Sequence, residues 1–153
     1  MIELCTRLIE EMRRHAEREY PRECCGLLIG RIEAGGRTRV VSETYPVENR
    51  FAEEGERHHR MSILPLDYAR AERLHAGRNL GVVGNYHSHP DHPAVPSQFD
   101  LEHLAPWPTM SYVVVSVREG KAVDFRSWEL ESDRSRFKEE EVVRADDFER
   151  GAG

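Results

Sequence analysis

Residues 80–102 read LGVVGNYHSHPDHPAVPSQFDLE, and the character of the chain changes twice within them. Leu80 to His89 is β-prone. Pro90 to Pro96 holds three prolines and forms a stiff, irregular connection. Ser97 then carries the start signal of a helix, with Ser97 as N-cap and Asp100 in the first turn, able to point back toward the loop. His87 and His89 are two apart, so on a strand both imidazoles project from one side. Pro90 cannot donate to a ladder and puts the pair at the strand's end. The stretch is therefore strand, loop and helix, with its polar groups gathered at the junction.

Upstream, Pro65 opens a helix to about Ala76, with Leu66, Ala69 and Leu74 expected toward the core. HHRMSI (58–63) is a candidate strand, and polar residues 47–57 are expected to form a solvated loop. CCGLLIG (24–30) is a short apolar run closed by glycine and reads as a buried strand. Its hairpin partner is Arg37 to Pro46, across Ala34-Gly35-Gly36. Residues 2–19 place Leu4, Leu8, Ile9, Met12 and Ala16 at helical spacing, an amphipathic helix ended near Tyr20-Pro21. Downstream, MSYVVVSV (110–117) and AVDFRSWEL (122–130) form a second hairpin, whose first member is apolar enough to be central. From Glu131 the chain is highly charged and reads as an exposed helix or a frayed tail. The expected fold class is α/β: a mixed, twisted central sheet flanked by helices, with one domain over 1–130 and a charged tail over 131–153.

The chain has 153 residues, 39% of them apolar and 33% charged, which suits a soluble globular domain. A net charge of −6 offers no basic stripe for nucleic acid. The N-terminal residues are charged from the third onward and lack the apolar core of a signal peptide. The longest run without charge or histidine, Leu104 to Val117, contains two prolines and is too short for a bilayer. Three cysteines (Cys5, Cys24, Cys25), two of them adjacent, make no disulfide framework and point to a reducing cytoplasm.

Two imidazoles and one carboxylate leave a fourth tetrahedral position open for water, as in catalytic zinc sites. A zinc-bound water needs a base, and Glu23, at the mouth of an apolar strand, is the best placed carboxylate. Each part has a plainer reading. Ser97 and Asp100 also spell a helix-capping pattern, and a lone H-x-H is commonly a solvated strand end. Their joint spacing with Glu23 favours the metal. Cys24 and Cys25 read as buried small hydrophobes rather than nucleophiles. On alternation, Cys25 shares the face of Glu23. His92 reads as an exposed loop residue. His58 and His59, if on a strand, face opposite sides. Trp107 is either a core anchor or an exposed contact near the site.

His87-x-His89-x7-Ser97-x2-Asp100, preceded by Pro21-x-Glu23-x-Cys25-Gly26-Leu27-Leu28-x-Gly30, resembles the JAMM (MPN+) metalloproteases, in particular their compact stand-alone prokaryotic members. The resemblance runs from the first helix to about Leu130. It implies the MPN, cytidine-deaminase-like architecture and one Zn2+ per chain on His87, His89 and Asp100. It also implies Glu23 as general acid/base and Ser97 as hydrogen-bond donor to the oxyanion. Ser88 and Pro90 complete the family's H-S-H-P wording. The implied reaction is hydrolysis of the amide after the C-terminal Gly-Gly of a ubiquitin-like protein. Only eleven residues separate Asp100 from Tyr112. The long insertion that polyubiquitin-cutting relatives carry there has no room, which directs the reading to a sulfur-carrier adduct. The partner is then a Gly-Gly-tailed ubiquitin-like or sulfur-carrier protein, with neither nucleic acid nor membrane; a homodimer stays open. The alternative is a non-catalytic MPN-type scaffold, which would lack a ligand or the glutamate. A deaminase of related architecture would want a downstream C-x-x-C, which is absent.

Overall fold

The computed structural model describes residues 1–33, 35–104 and 107–145. In chain order they form β1 (Ile2–Cys5), α1 (Thr6–Glu19), β2 (Cys25–Ile32), β3 (Arg39–Val47), α2 (Pro65–His75) and β4 (Gly81–Pro90). There follow α3 (Gln98–His103), β5 (Ser111–Arg118), β6 (Lys121–Leu130), β7 (Phe137–Glu140) and β8 (Val142–Ala145). All these strands join one sheet in the order β7-β6-β5-β4-β2-β3-β1-β8. β1 runs parallel to β3 and β8, and β4 parallel to β5; the other neighbours are antiparallel. The mixed α/β class is the one the sequence predicts.

The last two strands are where expectation and structure part. Laid flat, eight strands would place the outer edges about 34 Å apart at about 4.8 Å per strand. Yet β7 and β8, on opposite edges, are joined by Glu141 alone. The sheet must therefore roll until its edges meet. Across the seam, Ile2 N–H donates to Glu141 O at 3.0 Å. Arg39 of β3 donates from Nε to Thr109 O at 2.7 Å and from Nη1 to Glu140 Oε2 at 3.2 Å. Both members of that ion pair are buried. Residues 137–145 are thus strands rather than an exposed helix or tail. Their charges sit on edge strands, where exposed Lys138 and Glu139 are tolerated. The remainder of the expected tail, 146–153, lies outside the described residues, as does Ala34 of the first hairpin turn.

The rolled sheet wraps α1, which touches β1, β3, β4, β5 and β6. Leu8, Ile9, Met12 and Ala16 pack against Leu28, Val41, Tyr86 and the inward valines of β5. Burying each of the larger side chains stabilises by roughly 1.5–3 kcal/mol. The helix starts at Thr6, not at residue 2: Ile2 and Leu4 are fully buried in β1, paired on both sides. Leu4 falls at helical spacing from Leu8, and only the two flanking strands reveal its true state. Gly26 is required by Tyr86, whose ring carbon would lie 2.2 Å from any added Cβ. That ring is buried, and its hydroxyl meets His15 Nδ1 at 2.7 Å.

On the opposite face α2 covers Leu27, Ile29 and Val82. Its buried stripe is Asp67, Ala71 and His75, whereas Leu66 and Leu74 are 53% and 66% exposed and Ala69 is exposed. The predicted face was the wrong one. The polar residues can sit inside because they are satisfied locally: Leu64 N–H donates to Asp67 Oδ2 at 3.1 Å. His75 Nδ1–H likewise donates to Ala71 O at 2.8 Å. Residues 58–63 form no strand. In place of a ladder stand one backbone bond, Arg50 N–H to Ser62 O at 3.2 Å, and the side chain of Asn49. Asn49 Nδ2 donates to Glu23 O (3.0 Å) and Arg60 O (2.9 Å), and its Oδ1 accepts from Phe51 N (3.1 Å) and Ser62 N (3.3 Å).

Candidate metal centre

β4 delivers His87 and His89 to one side of its C-terminal end, and α3 brings Asp100 to meet them. His87 Nε2 and His89 Nε2 are 3.0 Å apart, and each is 3.1 Å from Asp100 Oδ2. The Ser97–Asp100 capping box also forms: Asp100 N–H donates to Ser97 Oγ (3.1 Å) and Ser97 N–H to Asp100 Oδ2 (2.8 Å). The two readings of this pair are therefore compatible in one geometry. The box aims the carboxylate, and the carboxylate still faces the imidazoles. His89 Nδ1 lies 2.9 Å from Pro93 O. A carbonyl only accepts, so Nδ1 carries a proton, and in the neutral ring Nε2 is the nitrogen left with a lone pair. The loop that supplies this carbonyl is fixed from behind, by Ser116 Oγ donating to His92 O (2.6 Å) and Trp128 Nε1 to Ala94 O (3.0 Å).

Three lone-pair atoms at this spacing repel one another unless a proton or a cation lies among them. A tetrahedral ion with bonds of about 2.0–2.1 Å spaces its ligands roughly 3.3 Å apart, and the observed edges differ from that by a few tenths. The donor set of two imidazoles and a carboxylate suits zinc. Burial would raise the Asp100 carboxyl, but the charge and hydrogen bonds of His87 and His89 outweigh it and hold it well below the usual range. Burial would lower the His89 imidazole, and Asp100 and Glu23 together reverse that, so it is raised.

Glu23 enters from the start of β2. It is 3% exposed, and its carboxylate lies within 4.8 Å of ligand nitrogens on both histidines. Glu23, His87 and His89 could form a second triad, but Asp100 is the closer third ligand. Asp100 Oδ2 hydrogen-bonds both rings at 3.1 Å, whereas the Glu23 carboxylate hydrogen-bonds neither and so stands farther off. Its Oε1 is buried and has no hydrogen-bond partner among the described residues. Burial pushes its pKa from 4.5 up to about 8, partly offset by the charge of His89; an adjacent divalent ion acts in the opposite direction.

A family model described as prokaryotic homologs of the JAB domain matches residues 6–131. The chain belongs to this family. It is 33% identical over 114 residues to a desampylase of Haloferax volcanii, covering 71% of this chain and 73% of that one. It is 35% identical over 108 residues to the tail tip assembly protein K of Escherichia phage N15, a match over 68% of this chain that spans only 38% of the phage protein. Among solved structures, a Desulfitobacterium hafniense protein aligns with TM-score 0.82 at 32% identity, covering 100% of this chain and 99% of that one. The JAB1/MPN domain protein AF2198 of Archaeoglobus fulgidus aligns with TM-score 0.55 at 17% identity, covering 95% and 98%, a likeness of fold.

The JAB domain thus brings Glu23, His87, His89, Ser97 and Asp100 into one site. It also brings residues that pattern alone does not reveal. Glu23 N–H donates to Arg57 O at 2.7 Å, and Asn49 ties the Glu23 and Arg60 carbonyls together, so the irregular 49–62 segment is a wall of the site. Glu23, Arg60, His89, His92, Ser97 and Phe99 line a cavity of about 400 Å³. Arg60 stacks its guanidinium 4.2 Å above the Phe99 ring. His59 also lines this cavity. It does not oppose His58 across a strand, because the two rings touch, with Nδ1 of His59 2.6 Å from Nε2 of His58. Phe99 also borders a second, apolar cavity of about 820 Å³ shared with Phe51, Met61, Tyr68, Leu104 and Trp107. Trp107, 41% exposed and edge-on to Tyr68, is an exposed contact near the site. Cys24 and Cys25 are buried, and burial pushes the Cys24 thiol up to about 12 and raises that of Cys25. Neither is poised as a thiolate. Cys25 lies directly across the ladder from His87.

Proposed function

We propose that this JAB-domain chain is a zinc-dependent peptidase or isopeptidase acting after the C-terminal Gly-Gly of a ubiquitin-like protein, with a compact sulfur-carrier adduct as its substrate. The single observation that carries the reading is the buried, unpartnered Glu23 carboxylate facing the His87–His89–Asp100 triad. A non-catalytic scaffold has no need of it, since an unpaired buried carboxylate costs stability. The match to a desampylase supports a substrate of the ubiquitin-like kind.

His87, His89 and Asp100 would hold the ion, which when bound supplies Lewis-acid chemistry and lowers the pKa of water. Glu23 takes a proton from the attacking water. The water oxygen joins the glycyl carbonyl carbon, the C–N bond breaks, and Glu23 returns the proton to the departing nitrogen. The products are a carboxylate and a protonated amine, the second proton passing from the nascent acid to the amine. The Ser97 Oγ accepts from Asp100 N–H, which leaves its own proton free to donate to the oxyanion. The apolar cavity beside Phe99 can hold the tail of the acyl partner. An extended glycine tail fits such a groove because it pairs through its backbone and has no side chains to accommodate.

The test joins metal content to cleavage. Purified protein is assayed for zinc and then incubated with ubiquitin-like proteins carrying amide-linked groups on their C-terminal glycine, with and without a chelator. Chelator-sensitive release is the expected result. Zinc-loaded protein that cuts none of them overturns the reading.

A further inference from the structure

Resting on the hydrolase reading above, we infer that Arg60 selects the leaving group: the preferred substrate joins the glycine tail to an α-amino acid whose own carboxylate is free. Glu23 must reach the departing nitrogen. It does not line the apolar cavity, and the cavity of about 250 Å³ that it shares with Cys24 and Asn49 holds neither histidine of the site nor Ser97. The leaving group therefore occupies the cavity of about 400 Å³ that Glu23 shares with His89 and Ser97. In a chain of net charge −6, Arg60 is the one permanent cation among the described residues lining it.

Its side chain is prepared for this. Asn49 fixes the Arg60 carbonyl at 2.9 Å and the Glu23 carbonyl at 3.0 Å, so the cation's backbone is registered to the base. The stack on Phe99 orients the guanidinium plane. The guanidinium makes no hydrogen bond among the described residues; its carboxylate neighbour, Glu56, stands off at 3.9 Å from Nε, and the side chain is 35% exposed. The fork is held and its donors are available. The other polar side chain of this wall, His59, is already engaged, by Glu56 at 2.6 Å and by His58.

The carboxylate of an α-linked amino acid lies two bonds from the leaving nitrogen, within the same pocket. A protein lysine leaving through its ε-amine presents only a methylene chain there, and its carbonyl is tied up in a peptide bond. A planar guanidinium separates these cases because it binds a carboxylate by two parallel hydrogen bonds.

The test uses zinc-loaded protein and one ubiquitin-like carrier ending in Gly-Gly, amide-linked to alanine, to alaninamide, or to the ε-amine of a lysine peptide. The expected result is a kcat/KM for the alanine adduct roughly tenfold to a hundredfold above the alaninamide adduct, carried by KM. Arg60→Gln should shrink that ratio to near one, Arg60→Lys should retain part of it, and zinc content should hold in both. Equal cleavage of alanine and alaninamide adducts by the wild type overturns the inference and leaves the hydrolase reading standing. So does an Arg60→Gln variant that slows both adducts alike, with a shifted pH profile, because that outcome makes Arg60 a tuner of Glu23. Failure to cut any adduct overturns the hydrolase reading, and this inference with it.

Discussion

The two halves of the candidate site are built by different physics. On one side, His87 and His89 sit on a strand paired along its length, and Asp100 is aimed by a capping box; these positions follow from local rules of pleat and helix start. On the other side, Glu23, Arg60 and Phe51 stand on connections whose backbone is held by Asn49, by Arg57 through Glu23 N–H and Phe51 O, and by a bond from Arg50 N–H to Ser62 O. On the proposed reading, the ordered half presents the metal ligands, while the irregular half supplies the base and the pocket wall. The division lets chemistry and specificity vary without disturbing the ion, and it makes the halves separable by mutation.

The largest effect should come from the ordered half. Asp100→Ala removes a proposed ligand and half of the capping box, and His87→Ala removes a proposed ligand alone. Both should weaken zinc by more than roughly 100-fold, beyond what loss of an outer-shell partner costs, as measured by chelator competition. Metal retained at wild-type affinity in either would break the comparison. Next, Glu23→Gln should keep the zinc and lower kcat by about 10²–10⁴-fold, the range for a lost general acid/base. A Glu23→Gln protein that loses the metal instead would move Glu23 into the ligand set with His87 and His89. Ser97 belongs to both worlds. Ser97→Ala should lower kcat by about 10²-fold or more and cost about 1 kcal/mol of stability as a lost cap, read by turnover and by thermal melting.

The same division explains what could be read from the chain beforehand. The H-x-H pair, the proline-stiffened loop and the Ser97 start are close in sequence, and Glu23 is tied to them by the family spacing. Asn49 and Arg60 carry no such mark, because their placement rests on bonds to carbonyls as far away as residue 23. The helices mislead where amphipathic pattern and burial disagree. α2 hides Asp67 and His75 and exposes two leucines, because its polar groups find partners at its own N-cap, on the helix and on Glu43 of β3. β1 and β7–β8 were hidden for another reason. β7 pairs locally with β6 across a short turn, but β1 and β8 pair with each other between residues more than a hundred apart, and no window of local sequence carries that information.

Asn49→Ala sharpens the comparison further, since it should loosen the irregular half alone. Two carbonyls and two amides lose their partner, at a cost of about 1–3 kcal/mol, and kcat/KM should fall while zinc affinity stays unchanged.

The last effect is a pH dependence, and it belongs to Glu23. In the folded, metal-free chain burial holds its pKa at about 8, against 4.5 ordinarily. The unfolded chain therefore releases this proton first as pH rises. The neutral carboxyl's contribution is complete below about pH 4.5 and declines progressively toward pH 8. Metal-free wild type should lose melting temperature across that window relative to Glu23→Gln, which has no proton to release. Saturating zinc should flatten the wild-type slope, because the ion favours the carboxylate that burial opposes. Parallel melting curves for the two metal-free proteins from pH 5 to pH 8 would mean that solvent reaches the Glu23 carboxylate. The irregular half would then not be closed over its base, and Asn49 would be holding an open wall.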